Sequence, residues 1–268
     1  MKKVLTIAGS DCSGGAGIQA DIKTMTAHKV YGMSVITALT AQNTMGVAAI
    51  HDAPPEFVGR QLDCVFTDIV PDAVKIGMVS SVEIINIIAD KLSYYGAKNV
   101  VLDPVMVATS GSKLLNPDAV EAIITKLFPL SAVITPNIPE AMALCGEKTK
   151  ISCAEDMLNS TQTIAGMTGN TNVAILIKGG HLDRSADDLL YLNGEAVWIK
   201  GERIDNPNTH GTGCTLSSAI ACNLANGCDI ASSVKAAKEY ITGAIGAMLD
   251  LGKGNGPLNH CYDRESRS

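Results

Sequence analysis

The sequence predicts an α/β domain in which a mostly parallel sheet is covered by helices on both faces. Short β-rich apolar runs alternate with longer helical patterns along the chain, the order expected of strand–helix–strand units. The strand candidates are apolar throughout instead of alternating, as strands buried on both faces are. The unusual polar and glycine residues gather just after those runs, at the carboxyl ends where such sheets bind ligands.

Taken in order, residues 3–8 form the first strand, and Ile18, Ile22 and Met25 then recur at helical spacing. Residues 34–39 are the second strand. Pro54 and Pro55 open a helix over 56–65. Strands over 74–79 and 98–102 flank a helix over 82–92 with Val82, Ile85, Ile88 and Leu92 on its apolar face. A helix over 119–127, a strand over 132–135, helices over 139–144 and 154–166, and a strand over 173–178 follow. Runs 188–192 and 196–200 surround Asn193-Gly194, a hairpin signature that makes an antiparallel edge. Leu216, Ile220 and Leu224 then repeat every four residues until Gly227. Ile230, Val234, Ala237, Ile241, Ile245 and Met248 give the last helix one continuous apolar face. Neither an internal repeat nor a linker interrupts this order, so residues 1–268 read as a single domain.

Bulk composition narrows the function. Of 268 residues, 46% are hydrophobic and 18% charged, enough for a large core. A net charge of −6 and 4% aromatic residues argue against a nucleic-acid surface or a base-stacking platform. The eight cysteines contain no C-x-x-C pair and read as reduced thiols of a cytoplasmic protein. The long uncharged runs 30–50 and 206–228 are broken by polar residues and glycines, so no membrane span is expected.

The sharpest chemical signal is Thr209-His210-Gly211-Thr212-Gly213-Cys214, turn chemistry running into a helix start. Glycines there let several backbone N–H groups converge, and a helix N-terminus favours an anion. Cys214 falls in the first turn, where that field is expected to lower its thiol pKa. An ordinary glycine-rich helix start with a packing cysteine is the competing reading. No Walker sequence occurs, and Ser13-Gly14-Gly15-Ala16-Gly17-Ile18 lacks the G-x-G-x-x-G spacing.

Other candidates sit at strand ends. Asn137 and Glu140 could hold Mg²⁺ through water, or simply form a helix capping box; Asp103 could join the same metal. Lys178, before two glycines, suits bridging phosphates. Lys238 flanks the last apolar face and reads by default as snorkelling. Asp21 lies on the packing side of the first helix and needs a partner, protein or ligand. Gln42 could give paired hydrogen bonds to a heterocyclic edge. His28, His51 and His260 have no convincing context; His181 and His210 adjoin motifs without metal-ligand spacing.

Jointly, Thr6-Ile7-Ala8-Gly9-Ser10-Asp11, Ser13 to Asp21, Ala41-Gln42-Asn43-Thr44, Lys75-Ile76-Gly77-Met78, Val101-Leu102-Asp103-Pro104-Val105-Met106, Ile134-Thr135-Pro136-Asn137-Ile138-Pro139-Glu140, Ile177-Lys178-Gly179-Gly180-His181 and the 209–214 motif resemble one family. The chain resembles the hydroxymethylpyrimidine/phosphomethylpyrimidine kinases of thiamine biosynthesis, within the ribokinase-like superfamily. That resemblance implies a three-layer α/β/α fold, a homodimer, and use of ATP and Mg²⁺ to phosphorylate 4-amino-5-hydroxymethyl-2-methylpyrimidine and then its monophosphate. It implies Gly211, Thr212 and Gly213 as an anion hole and Cys214 as catalytic base. Gln42, Gly9, Asp21, Met78 and Val105 would surround the pyrimidine. Asn137, Lys178 and Lys238 would lie on the nucleotide side, with Glu140 and Asp103 on the magnesium. A pyridoxal kinase of the same superfamily and a non-catalytic pyrimidine-phosphate sensor are the alternatives. Gln42 favours the pyrimidine over the first, since pyridoxal kinases with the cysteine generally carry an apolar residue there.

Overall fold

The computed structural model describes residues 1–106, 116–146, 149–180 and 186–263. Its strands are β1 (Lys3–Asp11), β2 (Tyr31–Asn43), β3 (Gly46–Asp52), β4 (Ala73–Ile76), β5 (Val100–Leu102), β6 (Val133–Ile134), β7 (Ala174–Ile177), β8 (Asp188–Leu192) and β9 (Glu195–Ile199). Its α-helices are α1 (Gly17–Ala27), α2 (Pro55–Phe66), α3 (Val82–Tyr94), α4 (Pro117–Ala122), α5 (Ile138–Cys145), α6 (Ala154–Met167), α7 (Thr212–Ala225) and α8 (Ile230–Gly246).

The strands form one sheet in the order β3-β2-β1-β4-β5-β6-β7-β8-β9. From β2 to β7 the pairing is parallel; β3, β8 and β9 run antiparallel at the two edges. Two apolar cores sandwich it. Val58 and Leu62 of α2, Ile84, Ile85 and Ile88 of α3, Ala141 of α5 and Met157 of α6 pack on one face. Met25 of α1, Leu216 and Ile220 of α7, and Val234, Ala237 and Ile241 of α8 pack on the other. Side-chain alternation along β4 shows the division: Val74 and Ile76 belong to the first core, Ala73 to the second. The three-layer α/β/α fold expected from the sequence is present.

Local chemistry sets the helix starts. Ser81 accepts the Ile84 N–H at the head of α3, and Asp229 accepts the Ser232 N–H at the head of α8. Pro55 opens α2, where its missing N–H has no helical partner anyway. Two expectations need correction. The helix over 119–127 is α4 followed by a π-helical turn at Ile123–Leu127. Strand β3 was not foreseen: it pairs with the end of β2 as a second antiparallel edge, and Ala48 to Asp52 are exposed, so no core pattern marked it. Among the described residues, no helix is long and apolar enough to cross a membrane.

Candidate active site

The carboxyl ends of β1, β2, β5, β6 and β7 open onto a cavity of 680 Å³, a size suited to small ligands. Its floor is the start of α7. Gly211 is the N-cap and takes a left-handed conformation, φ +84°, that a side chain would strain. A Cβ there would also collide with the Gly15 carbonyl oxygen. At Gly213 a Cβ would lie 3.2 Å from Asp103 Oδ2 and 3.4 Å from Lys178 Nζ. A side chain is thus strained at Gly211 and crowded at Gly213, in a corner where the first N–H groups of a 14-residue helix lack helical partners. Such a corner suits an anion.

Cys214 sits half-buried in the first turn. The expected lowering of its thiol pKa is contradicted. Burial raises it to about 11; Lys75 pulls it down in part, and Asp21 and Asp103 push it up again. Burial beside two carboxylates outweighs both Lys75 and the Gly17 backbone hydrogen bond.

One flank of the cavity is charged. Lys178 Nζ donates to Asp103 Oδ1 at 2.8 Å and stands 3.9 Å from Glu140 Oε2. Thr135 Oγ1 donates to Asp103 Oδ1 at 3.1 Å. Asn137 and Glu140 complete a capping box at the start of α5: Asn137 Oδ1 accepts the Glu140 N–H at 2.8 Å, and Glu140 Oε2 accepts the Asn137 N–H at 2.7 Å. The cap reading is therefore present in full. Glu140 nonetheless faces the cavity, and burial raises its carboxyl to about 7; Lys178 opposes this and Asp103 adds to it. Burial works against the Lys178 cation, yet Asp103 and Glu140 outweigh it and raise its pKa.

The other end mixes amide and apolar side chains, with the Asp11–His210 pair behind Gln42. Gly9, Gln42, Met78 and Val105 line it. Gln42 Oε1 is 3.1 Å from Thr40 Oγ1, and its Nε2 is 3.3 Å from His210 Nε2. His210 Nε2 is 2.9 Å from Asp11 Oδ2. Burial resists ionisation of Asp11, but hydrogen bonds from His210, Ser13 and Ala16 hold its carboxyl well below the usual range.

Of the residues named from the sequence, Asp21 is the one that does not line the cavity. It is fully buried beneath it, and its partners are protein groups: Lys75 Nζ at 2.9 and 3.0 Å, Thr6 Oγ1 at 2.6 Å and Ser218 Oγ at 2.7 Å. Lys238 lines the cavity but does not snorkel. Its ammonium turns inward to Asp188 Oδ2 at 2.8 Å and the Ala186 carbonyl at 2.7 Å, because a buried carboxylate at the head of β8 needs a cation. Sequence reasoning missed Lys75, Asp188, and Asp11 with His210 as a pair. Lys75, Asp11 and His210 stood inside quoted motifs, but only the fold brings Asp11 and His210, 199 residues apart, within 2.9 Å. His260 also gains a context: it is buried, meets Thr215 Oγ1 at 3.0 Å, and burial lowers its pKa to about 4. His181 lies outside the described residues.

A family model described as phosphomethylpyrimidine kinase matches residues 11–259. A hydroxymethylpyrimidine/phosphomethylpyrimidine kinase of Rhizobium meliloti (strain 1021) is 50% identical over 261 residues, 96% of each chain. The solved phosphomethylpyrimidine kinase of Clostridium difficile 630 is 48% identical, with a TM-score of 0.80 over 91% of this chain and 100% of that one. The ADP complex of Bacillus subtilis pyridoxal kinase is 38% identical, with a TM-score of 0.89 over 99% of both chains. By sequence along nearly its whole length and by fold, the chain belongs to the phosphomethylpyrimidine kinase family.

Proposed function

We propose that this single-domain protein uses ATP to phosphorylate the hydroxymethyl oxygen of 4-amino-5-hydroxymethyl-2-methylpyrimidine and then the resulting monophosphate, in thiamine biosynthesis. The observation that carries this reading is one cavity that joins Gln42, Gly9, Met78 and Val105 at one end, a charged flank at Lys178, and the helix start with Cys214 as its floor. Phosphoryl transfer is mainly positioning and charge neutralisation. The N–H groups at Gly211, Thr212 and Gly213 would stabilise charge on the transferred phosphoryl group, with Lys178 as the cation opposite. Asn137, beside Glu140, would flank the nucleotide, and Lys238 would shape the cavity wall through its Asp188 pair. Cys214 would take the alcohol proton in the first transfer. The second acceptor is already an anion and has less need of a base.

The charged flank suits Mg²⁺. Asp103 and Glu140 are hard oxygen donors on the cavity wall, and burial keeps the Glu140 carboxyl raised to about 7. Among the described residues no cluster of three or more potential ligands exists, so an ion there would need water and substrate phosphates to complete its shell. When bound, Mg²⁺ would neutralise the phosphates. The reading also places the enzyme in the cytoplasm as a homodimer.

The pyridoxal kinase alternative is favoured by one observation, the solved pyridoxal kinases that share the fold at 34–38% identity. Measuring ADP release with each acceptor decides. Release with the pyrimidine and little with pyridoxal supports the proposal; the reverse order replaces it, and release with neither leaves the sensor reading.

A further inference from the structure

Asp11, His210, Gln42 and Thr40 form a hydrogen-bond chain at the Gln42 end of the cavity, and its polarity is fixed from one end. Asp11 is 3% exposed. Its Oδ1 accepts the Ser13 N–H at 2.9 Å and the Ser13 hydroxyl at 2.8 Å. Its Oδ2 accepts the N–H groups of Gly15 at 3.1 Å and Ala16 at 2.9 Å. A carboxyl with so many donors is an ionised acceptor. His210 Nε2, at 2.9 Å from the same Oδ2, must therefore carry its ring proton. The ring cannot evade this, since it packs so closely on Gly15 that a Cβ there would collide with it.

That protonated nitrogen faces the Gln42 amide at 3.3 Å. The two ends of an amide have the same shape, so hydrogen-bond chemistry decides which end faces which neighbour. An NH2 group toward His210 would set two donors against each other. A carbonyl there accepts instead, sharing the His210 proton with Asp11. The NH2 then faces Thr40 Oγ1, 3.1 Å away, which can accept while giving its own proton to the Ser10 carbonyl at 3.1 Å. In this arrangement every donor meets an acceptor.

We infer that the Asp11–His210 pair locks the Gln42 amide with its carbonyl toward His210 and its NH2 toward Thr40, and thereby selects an amino over an oxo substituent on the acceptor ring. This deepens the proposed function and rests on Gln42 meeting that ring. The free carbonyl lone pair and the second N–H present one acceptor and one donor in fixed order. An aminopyrimidine edge offers a ring-nitrogen acceptor beside an amine donor. Its 4-oxo analogue offers an N–H donor beside a carbonyl, the reverse order. The ring cannot turn to compensate while its hydroxymethyl group points at Cys214. Reading the oxo edge requires the amide turned end for end, which opposes the His210 donor. Asp11 and His210 act through Gln42 and are positioning residues.

The test compares kcat/KM for 4-amino-5-hydroxymethyl-2-methylpyrimidine and its 4-oxo analogue in the full-length enzyme, the Asp11→Asn variant and the His210→Phe variant. The parent is expected to prefer the amino compound by about 10³-fold or more, as sites that leave buried polar groups unpaired do. Both variants free the amide to turn, so the preference falls to about tenfold while KM for ATP is unchanged. Asp11→Asn also perturbs its own loop; His210→Phe leaves the Ser13, Gly15 and Ala16 bonds to Asp11 in place. A preference unchanged in either variant at the parent melting temperature overturns the inference. Nitrogen-15 NMR of the parent judges it without a variant: a proton on Nε2 of His210 is expected, and a bare Nε2 overturns it. If the parent phosphorylates neither compound, the proposed function fails, and the His210 spectrum still decides the lock.

Discussion

Cys214 holds its proton tightly in the free enzyme because burial beside Asp21 and Asp103 exceeds the help from Lys75. A base with a pKa of about 11 is scarce as thiolate at neutral pH but strong once formed. Transfer to the alcohol should therefore quicken about tenfold per pH unit above neutrality, measured as kcat/KM, which reports the free enzyme. Transfer to the monophosphate should stay nearly flat. Cys214→Ala should lose about 10²–10⁴-fold on the alcohol and far less on the phosphate. Equal losses on both acceptors, or a surviving alkaline rise in the variant, would show that Cys214 is a packing residue. Gln42 offers a second residue-scale check. Gln42→Met leaves the amine and ring nitrogen of the acceptor unpaired, about 1–3 kcal/mol for each buried group. Pyrimidine affinity should drop while ATP binding holds; unchanged pyrimidine affinity removes Gln42 from the site.

At the scale of elements, α5 serves two ends at once. Its capping box stabilises the helix, and the same Glu140 carboxylate faces the charged flank. With a pKa raised from 4.5 to about 7, Glu140 binds a proton in the folded state that the unfolded chain has released. Stability of the ligand-free protein should therefore fall as pH rises from about 4.5 to 7 and level off above. Glu140→Gln keeps a capping-box side chain but removes this slope, so its melting temperature should exceed the parent's at pH 8. Its Mg²⁺ requirement for activity should rise. Parallel melting curves at every pH would contradict the buried-carboxylate account, and an overlaid Mg²⁺ titration would leave Glu140 as a cap alone. The elements themselves were legible where burial wrote a pattern. The apolar runs around Val74 and Ile175 and the periodic faces of α3 and α8 announced themselves, whereas exposed β3 carried no such mark. The site was half legible for the same reason. Gln42, Lys178 and the Gly211–Cys214 corner stand at element ends in the sequence, but Asp21 and Lys238 declare their partners only after distant segments meet.

On the scale of the whole molecule, the two helical layers meet the sheet differently. One is an apolar contact; the other encloses a fully buried ion pair, Lys75 on β4 with Asp21 on α1, braced by Thr6 and Ser218. Asp21, expected from the sequence beside the substrate, instead joins β1, β4, α1 and α7 outside the cavity lining. Lys75→Met should destabilise the protein by about 3–5 kcal/mol in chemical denaturation, because a carboxylate is left buried and unpaired. Lys75→Met with Asp21→Leu should recover most of that loss; a single variant as stable as the parent would show that the pair is not integral to the core. The central claim is that one cavity carries out both transfers. Phosphorus-31 NMR of the parent enzyme with ATP, Mg²⁺ and the hydroxymethylpyrimidine tests it most directly. The account predicts that the pyrimidine monophosphate rises first and is then converted to the diphosphate as ADP accumulates. ADP formation with no phosphorylated pyrimidine, or a monophosphate that is never consumed, would contradict it.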